Sequence, residues 1–328
     1  MRMTERDVWE AIGAGLGAGG SCVLLVVAGS RGSSPSRPGS LMAVGPNGAI
    51  AGTIGGGVAE STLVERTAAG LRTGQMPARL VTWEHRRGSP NSSGLVCGGA
   101  QTVVVVPLGP AHHPDVRRVI DALSVGHVVE WSADPGGWRV VAEGLDAGPG
   151  KGPGPGLGEG HGPGPGLVGD SRHWSYAQRS GPTHTVHVIG AGNVGAALAS
   201  LLMSLDFRVV IVDERPSVDL AHIPAHERLR LDYEDLASVV PTGPASFVAI
   251  MTHAHERDAA CLAALRDVEL GYLGLLGSRA KVARVAADPP AWFHGPIGLP
   301  IGSRTPAEIA VSVAAQMVGI RADAVTLG

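Results

Sequence analysis

Thr185-Val-His-Val-Ile-Gly-Ala-Gly-Asn-Val-Gly195 sets a short apolar run directly against three glycines spaced G-x-G-x-x-G, and this stretch decides the fold of the second half of the chain. Residues 186–189 read as a buried strand. Gly190 permits a tight turn, Gly192 lets the backbone approach a pyrophosphate, and Gly195 allows close packing of helix on strand. Val194, Leu198, Leu201, Leu202 and Leu205 follow at helical spacing, so one stripe faces the sheet and the helix N-terminus directs about half a positive charge at the loop. An anion is expected there. A second apolar run, 207–212, ends at Asp213, near the roughly 20-residue offset at which an acid accepts hydrogen bonds from an adenosine ribose. Arg215 supplies a guanidinium that would pair with a 2′-phosphate, whereas Asp213 would repel one, and the reading leans to a nucleotide without that phosphate. An empty loop, or another phosphate-bearing ligand, stays open.

About half of the 328 residues precede this segment, and a 44% hydrophobic content is enough for two domains with separate cores. The net charge of −3 offers no basic field to nucleic acid or to anionic lipid. The apolar run 22–28 is too short to span a bilayer, and Thr4 with Asp7 reads as the cap of a first helix, so a cytoplasmic protein is expected. Cys22, Cys97 and Cys261 are an odd set without metal-type spacing, which suits a reducing compartment. Cys22 in an apolar strand and Cys261 in an apolar helix read as buried small hydrophobes. Cys97, in Ser93-Gly-Leu-Val-Cys-Gly-Gly99, is flanked by glycines and expected to be accessible.

The first half opens with a helix carrying Trp9, Ile12 and Leu16 on one face, then a strand at 23–27, a Gly/Ser/Pro loop at 29–39, and a hairpin of 41–44 and 49–52 turned by Pro46-Asn-Gly48. Thr53-Ile-Gly-Gly-Gly-Val-Ala-Glu60 places Gly55, Gly56 and Gly57 at a helix start, a second candidate anion nest. Strands at 80–83 and 102–107 follow, and a helix and strands across 116–141 complete the domain. Gly-Pro repeats then predict a linker without fixed structure. The expected division is 1–146, a linker at 147–182, and 183–328. In fold class this is α/β: a C-terminal Rossmann-like doubly wound parallel sheet preceded by a separate α/β N-terminal domain.

Beyond Asp213, strands are expected at 245–251, ending in Thr252-His-Ala-His-Glu-Arg-Asp258, and at 271–276, ending in Gly277-Ser-Arg-Ala-Lys281. A turn at 295–303 feeds a helix opened by the capping box Thr305-Pro-Ala-Glu308. Ligands of parallel sheets sit at the carboxyl ends of the strands, so the motif loops are expected around one pocket. His253, at a strand end, is read as a pocket residue. Ser278, Arg279 and Lys281 would add a hydroxyl and two positive charges beside a phosphate. His253, His255 and Asp258 match no zinc spacing.

Gly32-Ser-Ser-Pro35, Gly55-Gly-Gly-Val-Ala-Glu60, Cys97-Gly-Gly99, His187-Val-Ile-Gly-Ala-Gly-Asn-Val-Gly195, Asp213-Glu-Arg-Pro216, Met251-Thr-His253, Gly277-Ser-Arg279 and Pro296-Ile-Gly-Leu-Pro-Ile-Gly302, in this order, resemble the XdhC/CoxI family. These are accessory factors of xanthine dehydrogenase and related molybdenum hydroxylases. The chain departs from the family pattern where Ser36 intervenes before Arg37 and where Ser40 follows Gly39. The resemblance implies a homodimeric carrier that binds the molybdenum cofactor (molybdopterin), holds it while a cysteine desulfurase installs the terminal sulfur, and inserts it into the apo molybdenum hydroxylase. Under it, Gly190, Gly192 and Gly195 or Gly55, Gly56 and Gly57 hold the phosphate, and Cys97 offers the metal a thiolate. No catalytic residue is assigned, because no proton-transfer group pairs with a substrate clamp. The leading reading is a carrier and not a turnover enzyme; the alternative, an NAD(P)-dependent oxidoreductase, draws on the fingerprint and Asp213.

Overall fold

Thr4 and Asp7 cap each other reciprocally, the Asp7 carboxylate accepting from the Thr4 N–H at 2.6 Å and the Thr4 hydroxyl from the Asp7 N–H at 3.3 Å, and so start α1 (Glu5–Gly17). The computed structural model describes residues 4–32, 36–84, 99–145, 166–286 and 289–326, which fall into two units meeting in sequence at Gly181 and Pro182. In the first unit, β1 (Cys22–Arg31) is buried from Cys22 to Ala28 because it is the central strand of a sheet covered on both faces. Around it lie β2 (Leu41–Gly45), β3 (Gly48–Gly52), α2 (Gly57–Thr73), β4 (Arg79–Glu84) and β5 (Ala100–Leu108). The strand order is β3-β2-β1-β5-β4, antiparallel throughout. Strand alternation sorts the core: Leu24 and Val26 face α1, whereas Val23, Leu25 and Val27 face Leu63 and Ala68 of α2.

Next come α3 (His113–Ser124), β6 (Val128–Asp134), β7 (Gly137–Leu145), β8 (Gly166–Gly169) and β9 (Trp174–Ser180), whose strands form a second antiparallel sheet ordered β7-β6-β9-β8. This corrects the expected linker at 147–182. Its last part is structured, with β9 paired to β6 from Tyr176 to Ser180 and buried against the first unit's core. Tryptophans that are scattered in sequence converge here: the Trp9 ring lies 5.8 Å from Trp131 and 5.6 Å from Trp138, and Trp131 lies 5.7 Å from Tyr176.

The second unit comprises β10 (Thr185–Ile189), α4 (Asn193–Met203), β11 (Arg208–Val212), β12 (Glu227–Leu229), β13 (Gly243–Ile250), α5 (His255–Ala264), β14 (Leu270–Leu275), α6 (Arg279–Val285), β15 (Phe293–His294) and α7 (Pro306–Thr326). All pairings are parallel, in the order β12-β11-β10-β13-β14-β15, so the sheet is doubly wound. Leu198 and Leu202 of α4 join Val313 and Met317 of α7 on one face, and Cys261 of α5 and Val282 of α6 lie on the other. With every strand pointing the same way, the loops after β10, β11, β13, β14 and β15 all emerge at one edge.

Candidate functional site

The three glycines after β10 have different physical reasons to be glycine. Gly190 has φ 104°, and a Cβ there would lie 2.5 Å from the Met251 carbonyl oxygen. A Cβ at Gly195 would lie 2.0 Å from the Gly190 carbonyl oxygen, so helix and strand pack through that hydrogen atom. At Gly192 a Cβ would meet nothing within 4 Å. Gly192 is exposed, is the N-cap of α4, and provides no side-chain cap, so the first N–H groups of the helix are left for an incoming acceptor.

Asp213, fully buried at the end of β11, already has its acceptor capacity filled. One oxygen accepts from the Ala191 N–H at 2.8 Å and Arg215 Nη2 at 2.7 Å, and the other accepts from the Arg215 N–H at 2.9 Å and Arg215 Nε at 3.0 Å. Burial pushes its carboxyl up, but the Arg215 fork and the two N–H groups outweigh that and hold it below the usual carboxylate range. Arg230 clamps the same corner by donating to the carbonyls of Asp213 and Arg215. Arg257 bridges Glu214 and Glu234 beside it. The sequence displays Asp213 and Arg215 separately; their mutual saturation is visible only in the fold.

After β13, the Thr252 hydroxyl donates to the buried Asp258 carboxylate at 2.7 Å, and Lys281 Nζ from α6 lies 2.5 Å from its other oxygen. Lys281 also donates to the Leu276 carbonyl at 2.8 Å. The expectation that Lys281 offers free charge to a phosphate is therefore corrected: its ammonium is spent inside the fold. Ser278 caps α6 by accepting from the Lys281 N–H at 3.2 Å. Arg279 and His253 are exposed, and neither forms an ion pair among the described residues. After β15, the Gly298 N–H and the Tyr272 hydroxyl both donate to Gln316 Oε1, at 2.9 and 2.6 Å, and the expected capping box forms with Glu308 accepting from the Thr305 N–H at 3.0 Å. Gly190, Gly192, Gly195, Asp213, His253, Ser278 and Arg279 thus share one sheet edge.

Gly55, Gly56 and Gly57 lie in the other unit, with φ values of 125°, 71° and 73° that side chains rarely adopt. The nest forms, and the chain's own Glu60 enters it: one carboxylate oxygen accepts from the Thr53 hydroxyl at 2.6 Å, the Ile54 N–H at 2.8 Å and the Gly56 N–H at 3.0 Å. Cys97 lies outside the described residues. Cys22 and Cys261 are buried, and burial pushes both thiols up. Among the described residues no three His, Cys, Asp or Glu side chains converge as a metal site, and no helix is long and apolar enough to cross a membrane.

Comparison with known proteins agrees with this geometry. A model described as the XdhC Rossmann domain matches residues 186–317, and one described as the XdhC and CoxI family matches residues 16–83. A Bacillus subtilis (strain 168) protein named as a probable xanthine dehydrogenase subunit is 32% identical over 150 residues, covering 44% of this chain and 46% of that protein. The uncharacterized protein YqeB of Escherichia coli (strain K12) is 28% identical over 308 residues, covering 90% of this chain and 42% of that one. The aligned part of the chain thus spans less than half the length of either relative. The crystal structure of a Bacillus halodurans protein named a xanthine dehydrogenase superposes with a TM-score of 0.72 at 24% identity, covering 98% of this chain and 96% of that one, which establishes a shared fold. Since one model falls on the N-terminal unit and the other on the parallel-sheet unit, the chain belongs to the XdhC and CoxI family.

Proposed function

We propose that the chain is a cytoplasmic, homodimeric accessory protein of xanthine dehydrogenase maturation. It binds the molybdenum cofactor as cargo, holds it for sulfuration by a cysteine desulfurase, and inserts it into an apo-hydroxylase. The observation that carries this reading is the condition of the carboxyl edge. The uncapped start of α4 at Gly192 suits a phosphate, while Asp213 has its acceptor positions filled by Arg215 and Ala191 and presents none to a ribose diol. A ligand with a phosphate and no adenosine ribose fits that combination better than a nicotinamide dinucleotide. Exposed Ser278 and Arg279 at the start of α6 add a hydroxyl and a charge for the same phosphate. Cys97 supplies the soft ligand to the metal.

The second reading, an NAD(P)-dependent oxidoreductase, is favoured by the position of Asp213 at the end of β11. It requires Arg215 to leave the carboxylate first. Purification followed by molybdenum analysis, pterin fluorescence and activation of an apo-hydroxylase separates the two. Bound pterin with molybdenum and transfer to the hydroxylase are expected. A nicotinamide absorbance change with turnover replaces this reading by the oxidoreductase, and neither signal leaves an adaptor that bridges desulfurase and hydroxylase.

A further inference from the structure

We propose that a cleft between α2 and the edge strand β4, in the N-terminal unit, is a binding site for a small oxyanion ligand, a phosphate ester or a carboxylate. The cavity has a volume of about 360 Å³ and is lined by Leu63 and Arg66 of α2 and by residues 79–83 of β4. That volume falls within the roughly 300–1,000 Å³ range of small-molecule sites. Its lining contains two arginines and no acid. Arg66 and Arg79 form no ion pair with any described residue; the Arg66 guanidinium instead lies 6.0 Å over the Trp83 ring. Trp83 is only 7% exposed, yet its indole N–H meets no acceptor among the described residues, and the Nε–H of Arg79 is likewise buried without one.

Buried donors are satisfied in nearly all native sites, and a guanidinium removed from water normally pairs with a carboxylate or phosphate. Here both buried donors belong to β4, and Arg66 of α2 lines the cleft with them, while Arg79, Val81 and Trp83 share the strand face turned to α2. The planar forks of two arginines match the oxygens of a phosphate ester, whose charge of about −2 would neutralise both, or of a carboxylate, which would neutralise one. Because β4 is the edge of its sheet, the cleft opens beside the sheet and not beneath it. The site belongs to the first unit and is independent of the carboxyl edge of the second.

Calorimetric titration of the full chain carrying Gly192→Val, the substitution expected to remove phosphate binding at α4, tests the proposal with inorganic phosphate and with citrate at low ionic strength. Binding of either probe is expected, phosphate alone marking a phosphate-ester site and citrate alone a carboxylate site. Arg66→Gln and Arg79→Gln should each weaken that binding about tenfold, the usual effect of losing one charge-assisted hydrogen bond. Arg66 is exposed, so its substitution preserves the fold even if Arg79→Gln does not. Failure of both probes to bind, or unchanged affinity in Arg66→Gln, overturns the proposal. Binding of an acidic peptide in the absence of phosphate and citrate binding overturns it in favour of strand addition at β4.

Discussion

At Gly192 and Gly195 similar substitutions have opposite consequences. Gly192→Val fills open space, so the variant should melt as the wild type does but lose any phosphate-bearing ligand in calorimetric titration. Gly195→Ala places a carbon 2.0 Å from the Gly190 carbonyl oxygen and should destabilise the second unit by about 1–3 kcal/mol or more in urea unfolding. Arg215→Gln removes the guanidinium that partners a fully buried carboxylate. Breaking such a pair costs about 3–5 kcal/mol, although the retained N–H bonds of Ala191 and residue 215 place the expected loss near the lower figure. The thiols separate in the same way. Burial shields Cys22 and Cys261, so Cys97 should be the first alkylated at neutral pH by mass spectrometry, and Cys97→Ser should reduce molybdenum per protomer at unchanged melting temperature. Full occupancy in that variant would remove the thiol from the proposed carrier mechanism.

The strand β10 and the residue before it carry a pH dependence. His187 and His184 are buried, and burial, helped by Arg208 and Arg321 respectively, lowers both from 6.5 to about 4. The unfolded chain therefore binds more protons than the folded one between those values. Stability contributed by the neutral imidazoles is complete above about pH 6.5 and is lost progressively as pH falls toward 4, by about 3 kcal/mol per histidine. Denaturant midpoints measured across that range should fall with pH, and less steeply in His184→Gln. Such long, apolar or glycine-punctuated elements as β1, β10 and α4 were legible in the sequence because their period or turn chemistry is local. β9 was not: its residues Trp174, Tyr176 and Gln178 follow a Gly-Pro stretch whose composition reads as unstructured, and only pairing with β6 and β8 defines the strand. β12 and β15, of three and two residues, are too short to show any period. In the candidate site the glycine spacing gave the positions. The partners of Asp213, Asp258 and Glu60 depended on side-chain directions that spacing does not contain, as the Lys281–Asp258 pair across two helices illustrates.

Each unit of the molecule has its own buried core, one around Trp9, Trp131 and Tyr176 and the other around the parallel sheet. Calorimetry should resolve two transitions, and Tyr176→Ala, which empties a fully buried aromatic position, should lower only the first unit's stability, by about 3–5 kcal/mol. A shift of both transitions together would mean that the units unfold as one. The fold also contains a built-in competitor. Glu60 is tethered seven residues from Thr53, so its carboxylate faces the glycine nest at an effective concentration of the order of millimolar or higher. Bulk anions below that level are excluded by simple displacement. A ligand would take the loop only where further contacts elsewhere offset the eviction of Glu60, so a multiply held guest would displace the carboxylate at concentrations at which free phosphate would not.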